Sequence, residues 1–299
     1  MTDCTVDFSV IIPAYNEAGT IGPVLERLIA HLATMGQNYE ILVICDGATD
    51  ATAQEVREVR RAEGLVRLIE HPYNMGNGAA VKTGIRNAHG AVVVFMDADG
   101  QHAPEDVERL LDECDRYDMV VGARGKGSQA GWHRALANGI YNVLASYVTG
   151  RRIEDLTSGF RAMRRDVARR FVSLLPNGYS YPTTITLCFI RAGFSVKYAS
   201  IKAAERKGGK SGIRLFSDGA KFLLVIAKIC MLFSPLKIFL PVSLYLLLMG
   251  IGYYGYTFLT AHRFTNMSML LFTTSVIVFM MGLIAEQIAQ MRFERTEDD

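Results

Sequence analysis

The sequence predicts an α/β domain built on a mostly parallel sheet, followed by two membrane-spanning helices. Three observations predict it. Five short β-rich runs occur at 8–12, 39–44, 66–69, 91–96 and 118–122. Helical periodicity separates the runs, as in Ile21, Val24, Leu25, Leu28, Ile29 and Leu32. Late in the chain, no charge occurs over 25 positions between Lys237 and Arg263, or over 22 between Arg263 and Glu286.

The first run, Phe8-Ser9-Val10-Ile11-Ile12, reads as a strand, and Thr2, Asp3 and Asp7 make a signal peptide unexpected there. Val107, Leu110 and Leu111 continue a helical stripe after Pro104, a residue suited to a first turn. Strand and helix alternating in this way imply a mostly parallel sheet covered by helices. Ligands of such sheets bind at the carboxyl ends of the strands.

A membrane-spanning helix needs about 20 apolar residues. Both uncharged runs satisfy that, and Pro241, Gly250, Gly252 and Gly255 are tolerated in lipid. Phe222 to Phe233 is apolar except for Lys228 but too short to span. It reads as an interfacial helix with Lys221 and Lys228 near headgroups, or as an ordinary core helix. Eight Lys and Arg lie between 202 and 237, against Arg263 alone between the two runs. That bias puts the N-terminal part and the tail in the cytoplasm. The expected parts are 1–215, a cytoplasmic α/β domain; 216–236, a juxtamembrane helix; 237–290, a two-helix hairpin; and 291–299, a cytoplasmic tail. The setting is the cell membrane or one of ER type. Small residues around Gly250 and Gly255 permit helix association and so a homo-oligomer, while the sequence leaves the oligomeric state open.

Composition excludes other classes. With 50% hydrophobic and 21% charged residues among 299, the chain is not disordered. A net charge of +2 excludes a globally basic nucleic-acid binder. Cysteines at 4, 45, 114, 188 and 230 form no CxxC pair, which argues against a zinc ribbon or a disulfide framework.

The strand ends carry the chemistry. They read Pro13-Ala14-Tyr15-Asn16-Glu17, then Asp46-Gly47-Ala48-Thr49-Asp50, then His71 to Gly78, then Asp97-Ala98-Asp99-Gly100-Gln101-His102, then Gly122-Ala123-Arg124. Five polar or glycine-rich ends in a row predict one ligand cleft. Asp97 and Asp99 repel each other unless a cation lies between them, and oxygen ligands favour Mg²⁺ or Mn²⁺. Such a metal commonly bridges protein carboxylates and a diphosphate. Gly76-Asn77-Gly78 opens a helix whose N-terminus favours an anion. Gly209-Lys210-Ser211 is not a P-loop ending, because Ala204 stands at its required first glycine.

Together these residues resemble glycosyltransferase family 2, with its nucleotide-sugar-binding GT-A fold, over about residues 8–215. Pro13–Glu17, Asp46–Asp50, Asn74–Gly84 and Asp97–Gln101 match in order and spacing. The resemblance implies that Pro13, Tyr15, Asn16, Glu17, Asp46, Asn74, Gly76, Lys82 and Asp97 bind the nucleotide sugar. It implies that Asp97, Asp99 and Gln101 hold the metal. The later part is similar to dolichyl- or polyprenyl-phosphate sugar synthases, through Gly122–Arg124, Trp132, Arg134, Asp155–Arg161 and Arg206–Ser211. That similarity implies that Arg124, Arg134, Arg206, Lys207, Lys210 and Ser211 face a lipid phosphate. It also implies that Asp97, Asp99, Arg124, Arg134 and Asp155 serve catalysis, and that the chain after 235 is a two-span anchor. Cys45 and Asn77 depart from the family's usual Asp and Lys.

A hydroxyl acceptor needs a general base, yet 167–204 contains no Asp or Glu. A phosphate monoester needs none, since its second pKa is about 6. It needs cations, which Arg124, Arg134, Arg206, Lys207 and Lys210 supply. The expected partners are therefore a nucleotide sugar, a polyprenyl phosphate and the bilayer, with no nucleic acid. A base from Asp155 or Glu205 keeps a hydroxyl acceptor open as the alternative. A non-catalytic sugar-nucleotide binder is the second.

Overall fold

A computed structural model of the protein describes residues 6–62, 64–124, 139, 142–143, 145–147, 149–178, 180–201, 231 and 234–297. Trp132, Arg134, Arg206, Lys207, Lys210, Ser211 and nearly all of the expected juxtamembrane helix lie outside the described residues, as does the side chain of Arg124. The chain divides into two compact units, Met1–Ser146 with Arg151–Ile213, and Tyr147–Gly150 with Arg214–Asp299.

In the first unit the expected strands form as β1 (Phe8–Ala14), β2 (Tyr39–Cys45), β3 (Val66–Glu70), β4 (Val92–Phe95) and β5 (Met119–Arg124). β2 is buried along its whole length and β1 nearly so. Continuous apolar runs suit strands covered on both faces. Two further strands were not expected, β6 (Arg161–Arg164) and β7 (Val196–Ile201). The sheet order is β3-β2-β1-β4-β6-β5-β7. All pairings are parallel except those of β6, which runs antiparallel to β4 and β5.

Helices α1 (Ile21–Leu32), α2 (Thr52–Ala62), α3 (Asn77–Asn87), α4 (Pro104–Cys114), α5 (Arg165–Arg170) and α6 (Tyr181–Arg191) complete this unit. The stripe read in α1 is its buried face, from Ile21 to Leu32. Each fully buried Leu or Ile of such a stripe contributes about 1.5–3 kcal/mol. Pro104 stands in the first turn of α4. The order matters for function, because β2 and β4 lie on opposite sides of β1. The chain reverses its winding there, and a crevice opens beyond the carboxyl ends of β1 and β4.

The amino ends of β1 and β2, opposite the crevice, are held by a buried acid. Glu40 accepts hydrogen bonds from Ser9 Oγ at 2.7 Å, the His89 N–H at 2.6 Å and Arg67 at 2.7 Å. Ser9 Oγ in turn accepts the Gly90 N–H at 2.9 Å. The network fixes the turn between α3 and β4 onto β1 and β2. Burial works against the charged carboxylate, yet the bonds from Ser9, His89 and Arg67 outweigh it and hold its pKa below the ordinary 4.5.

The second unit holds two long helices, α7 (Leu236–Ala261) and α8 (Asn266–Glu297). Leu236–Ala261 and Asn266–Met291, 26 residues each, are long and apolar enough to cross a membrane. At 1.5 Å per residue each is about 39 Å long, more than a hydrocarbon core of about 30 Å. His262 ends α7 in a left-handed conformation. Glycine sets the helix contact: a Cβ on Gly282 would lie 2.6 Å from Phe239 Cβ. Small residues at such crossings let apolar helices pack closely in lipid. Ser275 Oγ donates to the Ser243 carbonyl at 2.8 Å, and Glu286 accepts the Leu236 N–H at 3.1 Å.

Glu40→Gln should lower stability by about 1–3 kcal/mol at neutral pH, because it leaves buried donors unsatisfied. A group whose folded pKa is lowered stabilises above its ordinary value and loses that contribution as pH falls through the folded one. Thermal melting in detergent should therefore show a gap between variant and wild type at pH 7 that narrows below pH 4.5.

Candidate active site

A cleft of about 680 Å³ lies along the carboxyl ends of β1, β2 and β4. Tertiary contacts at its rim begin with β1. Asn16 takes a left-handed φ of 55°, which asparagine tolerates, and its Oδ1 accepts the Thr49 N–H at 2.9 Å. Glu17 N–H donates to Thr52 Oγ1 at 2.8 Å, and Ala18 N–H to Asp50 at 3.1 Å. The β1 and β2 loops are thus one piece. Pro13, Tyr15, Asn16 and Glu17 all line the cleft, with Tyr15 exposed.

Asp46 also lines the cleft but is almost completely buried. It accepts the N–H groups of Met75 and Gly76 at 2.9 and 2.8 Å, and it bonds His71 Nδ1 at 2.7 Å. His71 Nε2 is 2.9 Å from Thr83 Oγ1. The ring thus bridges the Asp46 carboxylate and the Thr83 hydroxyl. Asp46 therefore shapes the turn that places Asn74, Gly76 and Asn77 on the wall. His71 is a part of this machinery that sequence reasoning passed over; its position between a strand and a glycine-rich turn was the available signal.

The glycines opening α3 meet protein rather than open space. A Cβ on Gly78 would lie 2.0 Å from the Pro176 carbonyl oxygen, and one on Gly76 2.5 Å from that of Asn177. Asn177 O also accepts the Ala79 N–H at 3.1 Å. The helix N-terminus expected to favour an anion is thus capped in part by the 176–178 segment. Lys82 bonds the Leu175 carbonyl at 3.3 Å and the Asn177 side chain, and does not line the cleft. Burial, with nearby Arg86, lowers its pKa.

Asp97 and Asp99 both line the cleft at the end of β4. Asp99 Oδ1 accepts the Gln101 N–H at 3.1 Å; Gln101 itself lies off the wall. Among the described residues no three His, Cys, Asp or Glu gather as a metal site. Two carboxylates facing a cleft nevertheless suit Mg²⁺ or Mn²⁺, which commonly take their other oxygens from water and a bound diphosphate. Behind Asp97, His102 stacks on Phe160 with ring centroids 4.5 Å apart, and its Nε2 is 3.7 Å from Asp97 Oδ2.

The far wall comes from the segment before β6. Asp155 is buried and accepts Thr157 N–H, Thr157 Oγ1 and Ser158 N–H, each at 3.1 Å. It does not line the cleft, whereas Thr157 and Gly159 do. Its carboxylate shapes the turn that carries them. Arg161 is fully buried and donates to the Pro182 carbonyl and Thr186 Oγ1 at 2.8 Å each, and to the Ser158 carbonyl. It ties this turn to the start of α6, where Tyr181 and Pro182 complete the wall. Burial and the neighbouring Asp97 push the Tyr181 phenol pKa up, so the hydroxyl keeps its proton.

A strand-end cleft with paired carboxylates on this seven-stranded sheet is the arrangement of a GT-A domain. Comparison with known proteins specifies the family. Residues 9–171 match glycosyl transferase family 2, and residues 234–291 match the GtrB C-terminal hairpin. The chain belongs to glycosyl transferase family 2. It is 32% identical over 209 residues to undecaprenyl-phosphate 4-deoxy-4-formamido-L-arabinose transferase from Edwardsiella ictaluri, covering 69% of this chain and 63% of the relative. It is 29% identical over 169 residues to dodecaprenyl-phosphate galacturonate synthase from Rhizobium johnstonii, covering 56% and 50%. The matches thus span less than two thirds of either relative. The fold is shared with glucosyl-3-phosphoglycerate synthase from Mycobacterium tuberculosis, solved with Mn²⁺, UDP and glucosyl-3-phosphoglycerate. That likeness has a TM-score of 0.57 at 21% identity and covers 75% of this chain and 79% of the other.

A Cβ on Gly159 would lie 3.2 and 3.4 Å from the two Asp97 oxygens and 3.5 Å from the Tyr181 hydroxyl. On the proposal that this cleft takes a metal-bound nucleotide, Gly159→Ala should crowd Asp97 and weaken UDP binding in Mn²⁺ about tenfold, with little change in melting temperature. Calorimetry on the two proteins checks it, and unaltered affinity would remove Asp97 from the binding surface.

Proposed function

We propose that the protein transfers a sugar from a UDP- or GDP-linked donor to a polyprenyl phosphate, undecaprenyl or dolichyl, at the cytoplasmic face of a membrane. The observation that carries this reading is Asp97 and Asp99 on the wall of the switch-point cleft. The named relatives, which use undecaprenyl and dodecaprenyl phosphates, support a lipid acceptor. So do the two helices able to cross a membrane.

In this reading Pro13, Tyr15, Asn16, Glu17 and Asp46 surround the nucleoside, and Asn74 and Gly76 close over it. Asp97 and Asp99, with Gln101 nearby, hold Mg²⁺ or Mn²⁺. The bound ion supplies charge neutralisation for the leaving diphosphate. Arg124, Arg134, Arg206, Lys207, Lys210 and Ser211 orient the lipid phosphate. A phosphate oxygen of the lipid attacks the anomeric carbon as the bond to the nucleoside diphosphate breaks, and the diphosphate leaves with the electron pair. Attack from the opposite face inverts the anomeric centre. No protein base removes a proton, because the acceptor is largely ionised at neutral pH. Asp155 then serves by holding its turn. The α/β domain and the tail face the cytoplasm, following the Lys and Arg excess at 202–237.

The test is transfer from radiolabelled UDP- and GDP-sugars to undecaprenyl and dolichyl phosphates, with Mn²⁺, Mg²⁺ or EDTA. The expected result is a lipid-phosphate sugar formed with metal and lost in EDTA. Asp99→Ala should cut the rate by about 100-fold or more while the protein still folds. A fully active Asp99→Ala protein would contradict the metal assignment, and transfer only to hydroxyl acceptors would contradict the lipid phosphate.

A further inference from the structure

We propose that Tyr181 recognises the transferred sugar, its hydroxyl donating a hydrogen bond to a sugar hydroxyl of the bound donor. This deepens the reading given above and rests on it.

The sheet arranges the wall of the cleft. Its order sets the order of groups along the cleft: Asp46 at the end of β2, Tyr15 after β1, Asp97 and Asp99 after β4, then Thr157 and Gly159 leading into β6. Tyr181 packs on Phe95 at the end of β4, and its hydroxyl flanks Gly159 beside Asp97. A donor laid along this wall with its diphosphate at the acid pair has its nucleoside on the β1–β2 side. Its sugar then falls toward Tyr181.

The tyrosine is built to be fixed. Its ring is 2% exposed and packs edge-on to Phe95, centroids 6.2 Å apart. Arg161 holds the Pro182 carbonyl next to it and the Ser158 carbonyl next to Gly159, so the hydroxyl cannot shift independently of the glycine. Side-chain entropy has already been lost in the free protein, which favours a directional contact.

The hydroxyl is also available. Among the described residues it makes no hydrogen bond. It is not one of the sealed, unpartnered polar atoms, as His102 Nδ1, Arg161 Nε and Tyr198 Oη are, so it opens on the cleft it lines. A buried aromatic ring normally finds its hydroxyl a partner. Here the cleft is where that partner arrives. Gly159 has no side chain to cover the spot, and Asp97 Oδ2 and the Tyr181 hydroxyl both flank it.

The experiment is calorimetric binding to the full chain in detergent with Mn²⁺, comparing wild type with Tyr181→Phe. The probes are UDP-glucose against UDP, and GDP-mannose against GDP. Phenylalanine keeps the ring packing, and a melting curve verifies the fold. The expected result is a Kd about tenfold weaker for the nucleotide sugar, with the matching nucleoside diphosphate unchanged. Monodeoxy donors locate the contact: one of them should lose affinity in wild type and lose no more in Tyr181→Phe. Equal weakening of the diphosphate alone and the nucleotide sugar would put the hydroxyl on phosphate and overturn the proposal. Unchanged affinity for all probes, or additive losses with every deoxy donor, would overturn it too. Wild type binding none of the probes would instead overturn the donor reading on which it rests.

Discussion

Strand β1 carries the architecture because it is paired on both edges with parallel neighbours that the chain reaches in opposite directions. Parallel pairing sends every connection over a face of the sheet, so both faces must be covered and the strand interior must be apolar. The polar groups that the chain does carry are displaced to the strand ends. At the carboxyl ends two neighbouring loops then diverge, and the gap between them is the cleft. One constraint thus explains both the buried run of β1 and the polar residues that begin where it stops.

The cleft is held by buried groups set in and behind its wall. Asp46 gathers three donors from a turn and a histidine; Asp155 shapes a second turn; Arg161 joins that turn to α6. Each is buried and multiply bonded, as charged groups in an interior must be. Such groups are costly if half satisfied and rigid when fully satisfied. Asp97 differs, with a side chain 41% exposed. That contrast separates the residues that build the wall from those available at it.

The five parallel strands and the α1 and α4 faces were legible because period and apolarity agree there. β6 was not. Arg161 and Arg164 bracket it, and a fully buried arginine inverts the signal by which core strands are read. Among the described residues β6 is the one antiparallel strand in a sheet that is otherwise parallel, as a mostly parallel sheet allows. β7 carries Lys197 and Ser200 on a half-buried edge, so its apolar pattern is weak. At the site, residue types at strand ends were legible, since they follow directly from strand limits. The partners of Lys82 and Asp155 were not, because those at 175–177 and 157–158 are set by how loops fold back. Gly76 and Gly78 show the same limit: sequence reveals that something approaches closely, and only the structure shows that it is the 176–178 segment.

The hairpin obeys a different solvent. Its helices bury little of their surface, and their contacts use glycine, a short hydroxyl side chain and one carboxylate, Glu286. A polar cleft and a lipid-compatible pair of helices in one chain are what the proposed transfer from a soluble donor to a lipid requires. The proposed function places a metal-bound nucleotide in the cleft beyond β1 and β4. Diffraction at the manganese absorption edge, from crystals of the full chain grown with Mn²⁺ and UDP, tests it most directly. The account predicts an anomalous peak within coordination distance of Asp97 or Asp99, with the diphosphate beside it. A manganese peak elsewhere, or UDP bound outside this cleft, would contradict it.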